Sequence, residues 1–116
     1  MHNNGEPLVS GLVEIRTTFA SREAAVACAD LLVRECLAAC VQVEGPVTST
    51  YSWKGAVEQA EEWRCTCKTT RAASDACIAG IVSGHEYDIP QVVVTQVDVT
   101  PAYAAWVESA VGPSCR

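Results

Sequence analysis

Histidine and asparagine are nearly missing: the 116 residues contain only His2 and His85, and only Asn3 and Asn4. With one imidazole outside the first few residues, no Ser or Cys nucleophile can be given both a base and an orienting partner. Cations are scarce too, 8 against 14 carboxylates for a net charge of -6, which leaves too few to displace counterions from a nucleic acid. No apolar run approaches the ~20 residues of a membrane span, and the first seven residues lack the basic and apolar segments of a secretory signal. Glycine-rich phosphate loops are absent as well. What remains is a chain that is 49% hydrophobic, enough for one cored domain without disulfide staples. The seven cysteines are odd in number and without an export signal, so they read as thiols of a soluble cytoplasmic protein.

Periodicity predicts the elements. Residues 12–19 alternate, with Val13, Ile15, Thr17 and Phe19 on one face, as a strand requires. Ser21 then offers an N-cap, and Ala25, Cys28, Leu32 and Cys36 form the stripe of a helix over 22–36. Residues 39–54 are β-rich and interrupted at Gly45-Pro46, where a bulge is expected; Lys54-Gly55 makes a hairpin turn, and the return strand runs to Thr69. A second helix spans 71–84, a fourth strand 89–99, and Thr100-Pro101 starts a third helix. This order is that of a ferredoxin-like α+β fold, βαββαβ plus a terminal helix, with an antiparallel sheet and helices on one face. The expected boundaries are a flexible tail over 1–9, one domain over 10–112, and a second tail over 113–116.

The hairpin is too long for its helices. Arms of about 15 residues reach ~50 Å, whereas helices of about 14 residues cover ~21 Å. Val47, Tyr51, Trp53 and Val57, with Trp63 further down, need another surface, which predicts a homo-oligomer with these five at its interface. The sheet face away from the helices supplies one, drawn from Leu12, Glu14, Arg16, Cys40, Gln42, Arg64, Thr66, Lys68, Val92 and Val94.

Leu37-Ala38-Ala39-Cys40-Val41, Ser49-Thr50-Tyr51-Ser52-Trp53-Lys54-Gly55, Glu62-Trp63, Lys68-Thr69-Thr70 and His85-Glu86-Tyr87-Asp88-Ile89-Pro90 follow one another in the order found in the CutA family of divalent-cation tolerance proteins, which the chain resembles over residues 12–107. The resemblance implies a tight homotrimer whose hairpin reaches a neighbour's sheet, similar in architecture to PII-type trimers. It also implies a cytoplasmic or organellar protein of the metal-ion response, with copper binding attributed to some members. Two positions depart from the family pattern: Glu86 replaces the Pro of His-Pro-Tyr, and Gln91 replaces the acid after Pro90.

Against that background the chemistry is sparse. His85, flanked by Glu86 and Asp88, and Cys40 on the second sheet face are the metal-ligand candidates, for copper or another divalent cation and with no cofactor required; the competing reading closes the second helix with His85 bonded to a backbone group and leaves Cys40 to packing. Cys65 and Cys67 share the helix-facing side of their strand and read as core, and Cys115 reads as a mobile, oxidisable thiol. No Cys-x-x-Cys loop follows the first strand, which excludes a metallochaperone, and an acylphosphatase would need an asparagine that the domain lacks. The expected function is therefore non-catalytic. The alternative is a PII-like module binding a small anion or a partner protein in a cleft between subunits, for which Lys68, Arg64, Glu62 and Tyr87 are the candidates.

Overall fold

The structure, a computed structural model, describes residues 6–115. Eight elements follow in order: β1 (Val9–Phe19), α1 (Arg22–Arg34), β2 (Cys40–Trp53), β3 (Ala56–Thr70), α2 (Ser74–Ser83), β4 (Val93–Val99), α3 (Pro101–Ala110) and a 3₁₀ turn, Gly112–Cys115. The four strands form one antiparallel sheet in the order β2-β3-β1-β4, the ferredoxin-like arrangement.

Local chemistry starts each helix. The Ser21 hydroxyl accepts from the Ala24 amide at 3.1 Å, and the Thr100 hydroxyl accepts from the Tyr103 amide at 3.4 Å with Pro101 as the first helical residue. α1 stops at Arg34 rather than at Cys36, because Cys36 takes a left-handed backbone with φ 59°. α2 begins at Ser74, three residues later than its pattern suggests, since Arg71 and Ala73 are used in the turn in which Ala73 N–H donates to Thr70 Oγ1. Its internal Gly80 lets α2 approach closely: a Cβ there would stand 3.0 Å from Leu37 and 3.1 Å from Leu32.

Two cores result. Val13, Ile15, Phe19, Cys65 and Cys67 of the sheet meet Ala25, Leu32, Cys77 and Ile81 of α1 and α2. Cys65 donates its S–H to the Ala25 carbonyl at 3.4 Å, so the thiol packs as a small apolar group with its one donor satisfied. The second core sets Leu12, Val97 and Ala39 against Ala104, Val107 and Val111. Leu12 alternates with Val13, so α3 lies at the end of the opposite sheet face and the helices do not all share one side.

Several boundaries differ from expectation. Val9 belongs to β1 and packs into the second core, so the tail assigned to 1–9 ends sooner; residues 1–5 lie outside the described residues. β4 begins at Val93, because residues 84–92 form a loop in which Ile89 is 75% exposed. Its register pairs Ile15 with Val94 and Glu14 with Thr95, which turns Val94 towards the α1–α2 side; Val92 packs on that core. Val93 and Thr95 take the places given to Val92 and Val94 on the second face. The segment read as a C-terminal tail is the 3₁₀ turn, tied to Cys36 through a Cys36–Cys115 disulfide with a Cα separation of 5.8 Å. These two cysteines are not free thiols, and Cys115 is not loose.

Candidate functional site

The site forms where the bulge in β2, the end of β1 and the loop 84–92 converge. Glu44 pairs with Arg64 and Val47 with Glu62, so β2 carries one extra residue at Gly45-Pro46. That insertion exchanges the faces beyond it and puts Val47, Ser49, Tyr51 and Trp53 on the same side as Glu62. Gly45 is required by close approach: an added Cβ would fall 2.6 Å from Trp63 Cδ1. Trp63 itself packs, half-buried, against the α1–α2 core. Val57 pairs with Ser52 and therefore lies on the face opposite Tyr51 and Trp53, 79% exposed.

Glu62 is the centre of this region. It is only 8% exposed, and one carboxylate oxygen accepts the Tyr87 hydroxyl at 2.7 Å. Burial pushes its carboxyl up; hydrogen bonds from Ser49, Tyr87 and Thr18 and the adjoining His85 more than offset that, and the net position lies below the ordinary glutamate value. Burial, the hydrogen bond to Glu62, and the neighbouring Glu62 and Glu86 charges push the Tyr87 hydroxyl well up. The pair therefore stays phenol and carboxylate across the physiological range.

The loop is held by two side chains. The His85 ring stacks on Phe19 at a centroid distance of 4.2 Å and an interplanar angle of 12°. Its Nδ1 accepts from the Tyr87 amide at 3.1 Å, which leaves the proton on Nε2, 2.9 Å from the Thr18 carbonyl that accepts it. Glu86 accepts from the Ala20 amide at 2.9 Å, next to the N-terminus of α1. The carboxylate found where the family pattern has Pro thus fastens the loop to the β1–α1 junction, an anion at a helix start.

Between this loop and the hairpin arm lies an open cleft of about 770 Å³. Its walls include Tyr51, Trp53 and Tyr87 together with Glu58, Glu62, Glu86 and Asp88, and no lysine or arginine. Of the four candidates for a cleft between subunits, Glu62 and Tyr87 line this cleft within the chain, and Lys68 and Arg64 lie outside it. Lys68 is 3.3 Å from Glu14, which also binds Arg16 at 2.8 Å, and Arg64 pairs with Glu44 at 3.0 Å. Both cations belong to the ladder along the second sheet face.

The metal candidates are not brought together. Cys40 pairs with Lys68, two strands from β1, whereas His85 sits at Thr17, Thr18 and Phe19, roughly 10 Å further along the strands. Both His85 nitrogens already have partners, and among the described residues no group of three His, Cys, Asp or Glu could hold a metal ion. Sequence reasoning missed Thr18 and Ser49 as partners of Glu62; an alternating Thr or Ser on a strand carries no mark of which carboxylate lies across the sheet.

A family model, CutA1 divalent ion tolerance protein, matches residues 13–110. The divalent-cation tolerance protein CutA of Thermus thermophilus is 32% identical over 96 residues, covering 82% of this chain and 93% of that protein. The chloroplastic protein CutA of Arabidopsis thaliana is 29% identical over 98 residues, 84% of this chain and 54% of that protein, so the chain spans about half the length of this plant relative. Among solved structures, CutA from Xylella fastidiosa superposes with a TM-score of 0.86 at 31% identity, covering 89% of this chain and 100% of that one. The periplasmic divalent cation tolerance protein CutA from Archaeoglobus fulgidus gives 0.84 at 25% identity, with 87% and 99% covered.

Proposed function

The chain belongs to the CutA1 divalent ion tolerance family, and from that premise we propose that it acts without catalysis, as a homotrimer in the cellular response to divalent metal ions. The observation that carries this reading is the acidic, aromatic-walled cleft around Glu62, which holds four carboxylates and no cation and which opens beside the exposed hairpin aromatics. A negative field of this kind favours a cation over an anion. The PII-like alternative, an anion held by Lys68 and Arg64, loses its two positive groups to Glu14 and Glu44. Because the described residues of one chain assemble no metal cluster, copper or another divalent cation is taken up weakly, with donors from more than one protomer. The expected compartment is the cytoplasm; among the described residues no helix is long and apolar enough to cross a membrane.

Native mass spectrometry with Cu(II) or Zn(II), with and without chelator, tests both parts. Trimers that bind metal and monomers that do not are the expected species. A solitary 12.3 kDa chain would overturn the assembly, and trimers that ignore both metals would overturn the cation.

A further inference from the structure

Five of the seven cysteines are unpaired: Cys65, Cys67 and Cys77 are buried, and Cys28 and Cys40 half-buried. Burial and nearby thiols push Cys28 up to about 11 and Cys65 up to about 12, which removes them from thiolate chemistry at neutral pH. The remaining pair is placed differently. Cys36 is 6% exposed at the left-handed turn that ends α1, while Cys115 is half-buried in the 3₁₀ turn after α3, 79 positions away in sequence. The same junction carries a hydrogen bond from the Gly112 amide to the Cys36 carbonyl at 3.0 Å. Immediately before it, Val111 is 5% exposed in the second core with Leu12, Ala39 and Val107.

We propose that the Cys36–Cys115 bond is a thiol-exchange site, a clamp on the end of α3 that low-molecular-weight thiols open from the Cys115 side. Access sets the direction of attack. An incoming thiolate bonds to Cys115 Sγ and breaks the Sγ–Sγ bond; Cys36 leaves as a thiolate and takes a proton from water. A second thiol attacks the mixed disulfide at the small thiol's sulfur, so Cys115 departs as a thiol and the two small thiols leave joined by a disulfide. Two electrons and two protons reach the protein from the small-thiol couple, and the reverse steps close the clamp. Opening it releases only residues 113–115, the part of the turn beyond Gly112. The Gly112 hydrogen bond and Val111 remain in place, so the reduced chain keeps its fold while its C-terminal end loosens.

The test equilibrates the intact protein in glutathione buffers of graded composition. Native alkylation with intact-mass readout follows the thiols, and thermal melting follows the fold. The expected result is reversible labelling of Cys36 and Cys115 ahead of the five other cysteines, with Tm lower by roughly 5–15 °C in the reduced form. Cys115→Ser should melt at the reduced temperature and ignore glutathione, and Cys40→Ser should respond as the parent does. A bond that resists glutathione until the protein is denatured would overturn the proposal. So would labelling spread over all seven cysteines, or a Cys115→Ser variant that still responds.

Discussion

At the residue scale, the Glu62 carboxylate illustrates how a buried charge is kept without an ion pair. Three hydroxyl groups replace the water it loses, and the net effect holds its carboxyl below the ordinary value of 4.5. The folded chain therefore binds fewer protons there than the unfolded chain does. The resulting stability is present above pH 4.5 and is lost as pH falls through the lowered value. Glu62→Gln should lower the urea-unfolding free energy at pH 7 by about 1–3 kcal/mol and narrow the gap to the parent near pH 3. An unchanged gap at both pH values would count against this assignment. Tyr87→Phe removes one of the donors and should raise the Glu62 titration, read by carboxyl NMR, at a loss of about 1–2 kcal/mol.

At the element scale, the bulge in β2 decides which residues reach the cleft. The Gly45-Pro46 dipeptide announces an interruption, since Pro lacks an amide for the ladder. The missing Cβ of Gly45 leaves room for the Trp63 indole. Gly45→Ala should lower stability by about 1–3 kcal/mol, since Trp63 lies between Gly45 and a packed core and has little room to yield. Chemical denaturation measures it. Parent-like stability would show that the indole moves freely. The helices were legible from period and caps, because those signals are local: Ser21, Thr100 and Pro101 act on their own first turns. β4 was less legible. Its run of valines has no alternation by which to choose a face, and pairing to β1 made the choice.

At the scale of the whole molecule, the described chain extends 51 × 31 × 21 Å, with a radius of gyration of 15.7 Å against about 13 Å expected for a globular chain of this length. The excess comes with a hairpin whose Tyr51 and Trp53 are 41% and 38% exposed. Aromatic area of this sort is stabilised by a second protein surface. Trp53→Asp should therefore shift the sedimenting species towards monomer and leave the monomer's helical circular dichroism intact. An unchanged sedimentation coefficient would place the interface elsewhere.

The order of elements, the hairpin with its bulge, the helix starts and the family were readable from the sequence, because each depends on neighbours within a few positions or on motifs in a set order. The chemistry of the site was not. His85 could be read as a metal ligand or as a group bonded to backbone, and the fold gives it the backbone partners; Lys68 and Arg64 could be read as cleft cations or as salt links, and within the chain they are paired. Cys36 and Cys115 looked like separate thiols and are joined. Each of these outcomes depends on at least one residue 20 or more positions away in the chain. A side chain's free valences are known only when its spatial neighbours are, and it is the tertiary fold that brings those neighbours into place.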